Sequence, residues 1–185
     1  MTRGERSTLR YGLKPEEDLA AARDKELLKS FKVLGVIEFD ALTLPDGGLK
    51  HKEKEMAKII KEQVEDFKPT VLVTLEPDGI YGHPDHIALS EAVTAVVKKP
   101  IRLLYATVGE FVHKPRVSKM AEKAKINPLK PEFALKLNRI ESLAKLRSLR
   151  AHYSQFRATG DNSKDFNFFM VNKMLNYEYF VFKRN

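Results

Sequence analysis

Six consecutive residues, Thr70 to Leu75 (T-V-L-V-T-L), are apolar or β-branched without the polar alternation of a half-exposed strand. Such a run suits a strand covered on both faces of a parallel sheet, because crossover helices bury both surfaces of that sheet. The flanking residues supply those helices. Upstream, Met56, Ile59, Ile60, Val64 and Phe67 recur at helical spacing and stop before Pro69. Downstream, a largely apolar helix from about Pro84 to Val97 leads into a second continuous run, Ile101 to Thr107. Helix and strand therefore alternate through long crossovers. That order predicts an α/β fold, a doubly wound and mostly parallel sheet with right-handed connections.

The remaining pattern extends this unit in both directions. From Pro15 the pattern is helical, with Leu27, Phe31 and Leu34 recurring at three- and four-residue spacing, a stop at Gly35, and Arg23 on the flank of the apolar stripe. Val36 to Leu44 reads as one or two short strands, and Pro45, Asp46, Gly47 and Gly48 form a loop. Lys114 to Pro131 lacks strong periodicity and reads as a surface insertion or flap. A third amphipathic helix carries Phe133, Leu137, Ile140 and Ala144 on one side and leads into Ala151, His152, Tyr153, Ser154 and Gln155. The aromatic tail, Phe166 to Phe182, is expected to add an edge strand near Tyr179 to Phe182. Nothing in 185 residues asks for more than one domain, so residues 1–185 are expected to form a single one.

Charge and composition narrow the possible functions. Lys plus Arg number 33 against 25 Asp plus Glu, yet the basic residues are spread along helical patterns rather than gathered in a block, and no nucleic-acid interface is expected. The chain has no cysteine, which excludes disulfides, thiolate metal sites and cysteine nucleophiles and leaves any metal to His and carboxylates. Met1 to Lys14 is polar, without an apolar core of signal-peptide length, and no run reaches the length of a membrane span. Cytoplasmic residence without a transmembrane segment is the expectation.

The stretch richest in chemistry is Glu76 to His86, E-P-D-G-I-Y-G-H-P-D-H, between a buried strand and a helix. Ligands of open α/β sheets sit outside the carboxyl ends of the strands, where such a loop lies. Pro84 fits the first helical position, which makes His83 the N-cap and places Asp85 and His86 in the first turn. His83 and His86 can then face one cavity. Asp85 beside them can hold an imidazole in one tautomer, and a neutral imidazole is a good zinc ligand. The same residues also read as a capped helix start with a polar surface. Two histidines do not complete a zinc shell of three protein ligands.

Tyr81, Gly82, His83, Pro84, Asp85 and His86, after an acidic Pro-Asp-Gly turn, resemble the second motif of the LmbE-like (PIG-L) family of zinc-dependent N-acetylglucosaminyl deacetylases. Thr2, Arg3, Gly4 and Glu5, then Arg23 with Glu26 and Leu34-Gly35, Asp46-Gly47, and Ala151, His152, Ser154 and Gln155 resemble further landmarks in the same order. The resemblance covers Thr2 to about Phe156. It implies a Rossmann-like three-layer α/β/α fold and removal of an acetyl group from an N-acetylglucosamine-type amide of a glycan, glycolipid or small glycoside.

By the same resemblance His86 is a zinc ligand, and His83 stabilises the oxyanion formed when water attacks the amide carbonyl. Asp85 orients or polarises His83, Tyr81 sits over the same oxyanion, and Arg23 and Asp46 bind sugar hydroxyls or shape the pocket. Other readings stay open: a helix ion pair for Arg23, a turn residue for Asp46, a packing residue for Tyr81. His152 and Gln155 are expected to buttress the last helix, His51 and His113 to lie on the surface, and the charges of Lys50 to Lys58 to form a solvated helix face.

The family's A-H-P-D-D-E motif, which carries two more zinc ligands and the general base, has no counterpart in this sequence. The resemblance therefore implies a domain N-terminally incomplete in its first strands, with zinc weakly bound or absent. An inactive remnant or sugar-binding module of the same fold, and association with further copies through bare strand edges, are the accompanying expectations.

Overall fold

A computed structural model describes residues 1–108, 125–127, 129–155 and 175–183. His113, much of the expected flap and residues 166–174 of the aromatic tail lie outside the described residues. The chain divides into two compact units, Met1–Asp46 with Lys136–Tyr177, and Gly47–Leu135 with Glu178–Asn185.

The first unit is built on two helices. Helix α1, Leu19–Leu34, starts at Asp18, whose carboxylate accepts the N–H groups of Ala20 and Ala21, and stops at Gly35 in the left-handed region, φ 71°. The stop at Gly35 is as the sequence predicts, but the buried stripe is not. Leu19, Ala22, Glu26 and Ser30 are buried while Leu34 is half exposed. The apolar triplet Leu27, Phe31 and Leu34 thus flanks a seam that contains polar residues. That seam faces the unit's other long helix, Arg139–Ala151, where the Ser30 and Ser148 hydroxyls meet at 2.6 Å.

The helix at Arg139 begins with a reciprocal cap, Asn138 accepting from Ile140 and Glu141 while Glu141 accepts the Asn138 N–H. This cap overrides the expected helical start at Phe133. Phe133–Lys136 is a strand instead, and Ile140 is 81% exposed. Val36 to Leu44 forms no strand either: Ile37 is fully in solvent, and Leu44 reaches the Met1 carbonyl only through its own N–H.

The second unit carries the sheet. A short 3-10 turn, Leu49–His51, precedes α2, Glu53–Phe67, which buries Met56 and Ile60 but leaves Phe67 exposed. His51 is on the surface, and Lys52 and Lys58 pair with Glu55 and Glu62 on the solvated side, as expected. Strand β1, Val71–Leu75, leads through the one-turn α3, Gly79–Gly82, into α4, Pro84–Val96, and then β2, Arg102–Thr107. The two strands pair in parallel, with Val71 opposite Arg102 and Leu75 opposite Ala106. The crossover helix α4 is pinned to the first strand by the Ser90 hydroxyl, which donates to the Leu75 carbonyl at 2.7 Å.

Strand β3, Phe133–Lys136, and strand β4, Tyr177–Phe182, complete a sheet ordered β1-β2-β4-β3, and the Arg139–Ala151 helix between them is α5. The α/β class is as predicted, with a parallel pair joined by a helix. Two details differ. Val73 of β1 is 52% exposed, so this strand is not covered on both faces. The tail strand is interior, antiparallel to β2 with Leu104 opposite Phe182, rather than an edge, because Phe180 and Phe182 pack against Phe133. Among the described residues no helix is long and apolar enough to cross a membrane.

Candidate functional site

Glu76 follows the carboxyl end of β1 and is completely buried. Its carboxylate accepts the Leu129 N–H and the Thr107 hydroxyl, and burial pushes its pKa up. Asp78 accepts the Asn127 N–H at 3.0 Å, so the two acids of the E-P-D-G turn tie Asn127 and Leu129 to the start of the histidine loop. The sequence shows these acids but not this role. Acids directly after a buried strand are the signal that was available.

The turn then tightens. Gly79 has φ +63°, and a Cβ there would stand 2.7 Å from the Cβ of His86. Ile80, a β-branched residue, is also held at positive φ, 71°, a strained conformation of the kind stored at functional sites. Replacing Gly79 by alanine combines the αL strain with that clash. It is expected to destabilise the protein by roughly 2 kcal/mol and to move the His86 imidazole resonances. Unchanged resonances and midpoint in urea denaturation would count against this packing.

The two imidazoles sit together, as expected, with ring centroids 5.0 Å apart, and the Tyr81 ring lies edge-on 5.1 Å from His86. Pro84 opens α4 and His83 is its N-cap. The His83 Nδ1 accepts the Asp85 N–H at 3.2 Å. An accepting Nδ1 carries no proton, so neutral His83 has its proton on Nε2 and presents a donor. His86 is opposite: its Nδ1 lies 3.2 Å from the Gly79 carbonyl, which can only accept. Nδ1 therefore holds the proton and Nε2 presents a lone pair. Burial, aided by the nearby His83, moves the His86 pKa down and favours this neutral form. One loop thus holds a donor imidazole beside an acceptor imidazole.

Asp85 is placed differently from the sequence expectation. Its carboxylate does not touch the His83 ring; it accepts the N–H of Gly47 at 2.6 Å and of Leu49 at 3.1 Å. The link to His83 runs through the Asp85 backbone N–H. The physical reason is the cap: Nδ1 of His83 is occupied by the first turn of α4, leaving the buried carboxylate to satisfy the Gly47–Leu49 backbone.

In the first unit Arg23 donates to the carbonyls of Gly4, at 2.7 Å, and Leu9, at 3.4 Å, while its Nε is buried without a partner. Desolvation lowers its pKa, and Glu26, Asp46 and Glu5 oppose that shift. The guanidinium lies directly over Gly4, where any Cβ would meet it at 1.9 Å. Asp46 accepts the Arg6 N–H at 3.0 Å and the Thr2 hydroxyl at 3.4 Å, and its own N–H donates to Glu5. Both residues thus hold the Thr2–Leu9 segment.

The sequence marks Glu26 only as a landmark of the family pattern. It is buried and accepts both the N–H and the hydroxyl of Ser154, at 2.7 and 2.9 Å. His152 closes α5 and its Nδ1 lies 3.3 Å from the Gln155 amide, the buttressing role expected for both.

As a zinc donor, His86 fits, with an uncharged ring and Nε2 free of a proton. The donor set does not extend further: among the described residues no group of three His, Asp or Glu could hold a metal ion. These residues by themselves do not make a zinc site.

Fold and site together define a Rossmann-like α/β protein with paired histidines outside the carboxyl end of a parallel strand. The family model described as PIG-L, GlcNAc-PI de-N-acetylase, matches residues 1–97, and the chain belongs to that family. It is 34% identical over 142 residues to the "Probable N-acetyl-alpha-D-glucosaminyl L-malate deacetylase 2" of Bacillus subtilis (strain 168), covering 75% of this chain and 59% of that protein. The chain thus spans less than two thirds of that relative. Its fold is similar to that of the A40926 pseudoaglycone deacetylase, with TM-score 0.63 and 19% identity over 98% of this chain and 77% of the other. It is also similar to the zinc-inhibited form of a teicoplanin deacetylase, with TM-score 0.59 and 16% identity over 94% and 79% of the two chains.

Proposed function

We propose that these residues serve an N-deacetylase that hydrolyses the acetamide of an N-acetylglucosamine-type sugar in a small glycoside, glycan or glycolipid. The observation that carries this reading is the pair of imidazoles held in opposite tautomers on one loop. In amide hydrolysis a water oxygen bonds to the carbonyl carbon, the carbonyl oxygen gains negative charge, and the C–N bond breaks to give acetate and an amine that takes up a proton. A fixed Nε2–H donor is suited to the oxygen that gains charge, the role proposed for His83. Tyr81 stands beside it. An unprotonated Nε2 on His86 is suited to a zinc ion. Arg23 and Asp46 are proposed to bind sugar hydroxyls or to shape the pocket through the Thr2–Leu9 segment they hold.

The test is acetate release from N-acetylglucosaminyl glycosides by protein isolated from its source, in buffer with added zinc. Release that a chelator abolishes is expected; none from any such glycoside would reject the reading. The donor count adds an expectation about this chain. With one suitable imidazole in the loop, zinc on the 185-residue chain is expected to be lost on dialysis against a chelator. Stoichiometric, chelator-resistant zinc would show that other residues complete the shell.

A further inference from the structure

The end of the sheet away from the histidines carries a cavity. Its volume is about 550 Å³, and Lys98, Lys99 and Arg102 line it above Val97, Leu103 and Phe182. The chain builds it at one junction: α4 ends at Val96, Ile101 closes a turn onto the Lys98 carbonyl, and β2 begins at Arg102. Val97 and Leu103 form a buried apolar floor and Phe182 is half exposed. Because β1 and β2 are parallel with Val71 opposite Arg102, the cavity lies at the amino ends of these strands. The histidine loop leaves from the carboxyl end of β1, ~15 Å away along a five-residue strand.

The charge around this cavity is one-sided. Among the described residues no Asp or Glu lines it, and Lys98, Lys99 and Arg102 take no acidic partner. A fourth cation, Lys183, is already engaged: its ammonium donates to the carbonyls of Thr94 and Val97 at the end of α4, offsetting the negative helix terminus there. The three others are exposed residues of the lining, and like charges gathered around one cavity favour an anion there. The cavity is larger than an inorganic anion requires and falls within the size range of small-ligand sites. Phe182, packed on Phe133 and half exposed, gives the lining an aromatic residue that an organic group can touch.

We propose that this cavity binds a phosphate ester, its phosphate between Lys98, Lys99 and Arg102 and its organic part against Phe182. The site is separate from the deacetylase reading and independent of it. A lipid headgroup and a free metabolite share this chemistry, and the test distinguishes them. Amide resonances of Val97 to Leu103 are followed while inorganic phosphate, phenyl phosphate, or vesicles of phosphatidylcholine with and without phosphatidic acid are added, with chloride at matched ionic strength as control.

Saturable shifts with phenyl phosphate at lower concentration than with inorganic phosphate are expected, and shifts with the phosphatidic acid vesicles alone would assign a lipid source. The double replacement Lys99→Gln with Arg102→Gln is expected to weaken binding at least about tenfold, as loss of charge-assisted contacts requires, with an unchanged unfolding midpoint in phosphate-free buffer. Lys183 is left intact because it closes α4. Shifts equal to those from chloride, or a double variant that binds like the parent, would overturn the proposal.

Discussion

Replacing Glu26 by alanine is expected to destabilise the protein by about 3 kcal/mol, because the N–H and the hydroxyl of Ser154 both lose their acceptor in a buried place. Ser154 is itself completely buried, so water does not replace the carboxylate without opening the seam between α1 and the end of α5. Two milder variants grade the effect. Ser154→Ala removes the hydroxyl but leaves its N–H bonded, and is expected to cost about 1 kcal/mol. Glu26→Gln keeps an oxygen for the N–H and offers an amide to the hydroxyl, so it is expected to retain more than half of the stability lost in Glu26→Ala. Urea midpoints at constant slope measure all three. A Glu26→Ala protein within about 0.5 kcal/mol of the parent, the usual surface range, would show that the seam is open to water.

Glu26 also marks the limit of what the residue pattern discloses. Periodicity locates α1 and its stop at Gly35, but an apolar triplet dominates the pattern and shifts the expected buried face to Leu27, Phe31 and Leu34. The face that is buried carries Glu26 and Ser30, whose partners Ser154 and Ser148 lie more than a hundred positions along the chain. No local window contains such a pairing. The same holds at Phe133, where apolar residues at helical spacing are outweighed by the Asn138 and Glu141 cap and by packing against β4.

The histidine loop was the most legible part. Pro84 sets the helix start, His83 must then be its cap, and His86 follows in the first turn, all within one stretch of sequence. Asp85 was legible in position and not in partner, because Gly47 and Leu49 lie about forty residues upstream. The strain at Ile80 and the close approach of Gly79 to His86 are properties of backbone geometry that composition does not carry.

The opposite tautomers of His83 and His86 lead to opposite consequences when each is replaced. His83→Asn keeps a side-chain oxygen to accept the Asp85 N–H, so the cap of α4 survives and stability is expected to stay within about 0.5 kcal/mol of the parent. What this variant loses is the Nε2–H donor. If that donor meets the oxygen gaining charge, kcat for acetamide hydrolysis is expected to fall by roughly 10²–10³ with zinc affinity unchanged, as for loss of one oxyanion donor.

His86→Ala removes the unprotonated Nε2, and zinc affinity and rate are expected to fall together, the rate recovering in part as zinc is raised. The tautomers can also be read without any activity. Two-bond proton–nitrogen NMR correlations of the zinc-free protein, well above the imidazole pKa, are expected to place the proton of His83 on Nε2 and that of His86 on Nδ1. Identical tautomers would remove the physical basis for dividing the roles. Loss of zinc in His83→Asn, with the cap intact, would reassign His83 from charge stabilisation to ligation.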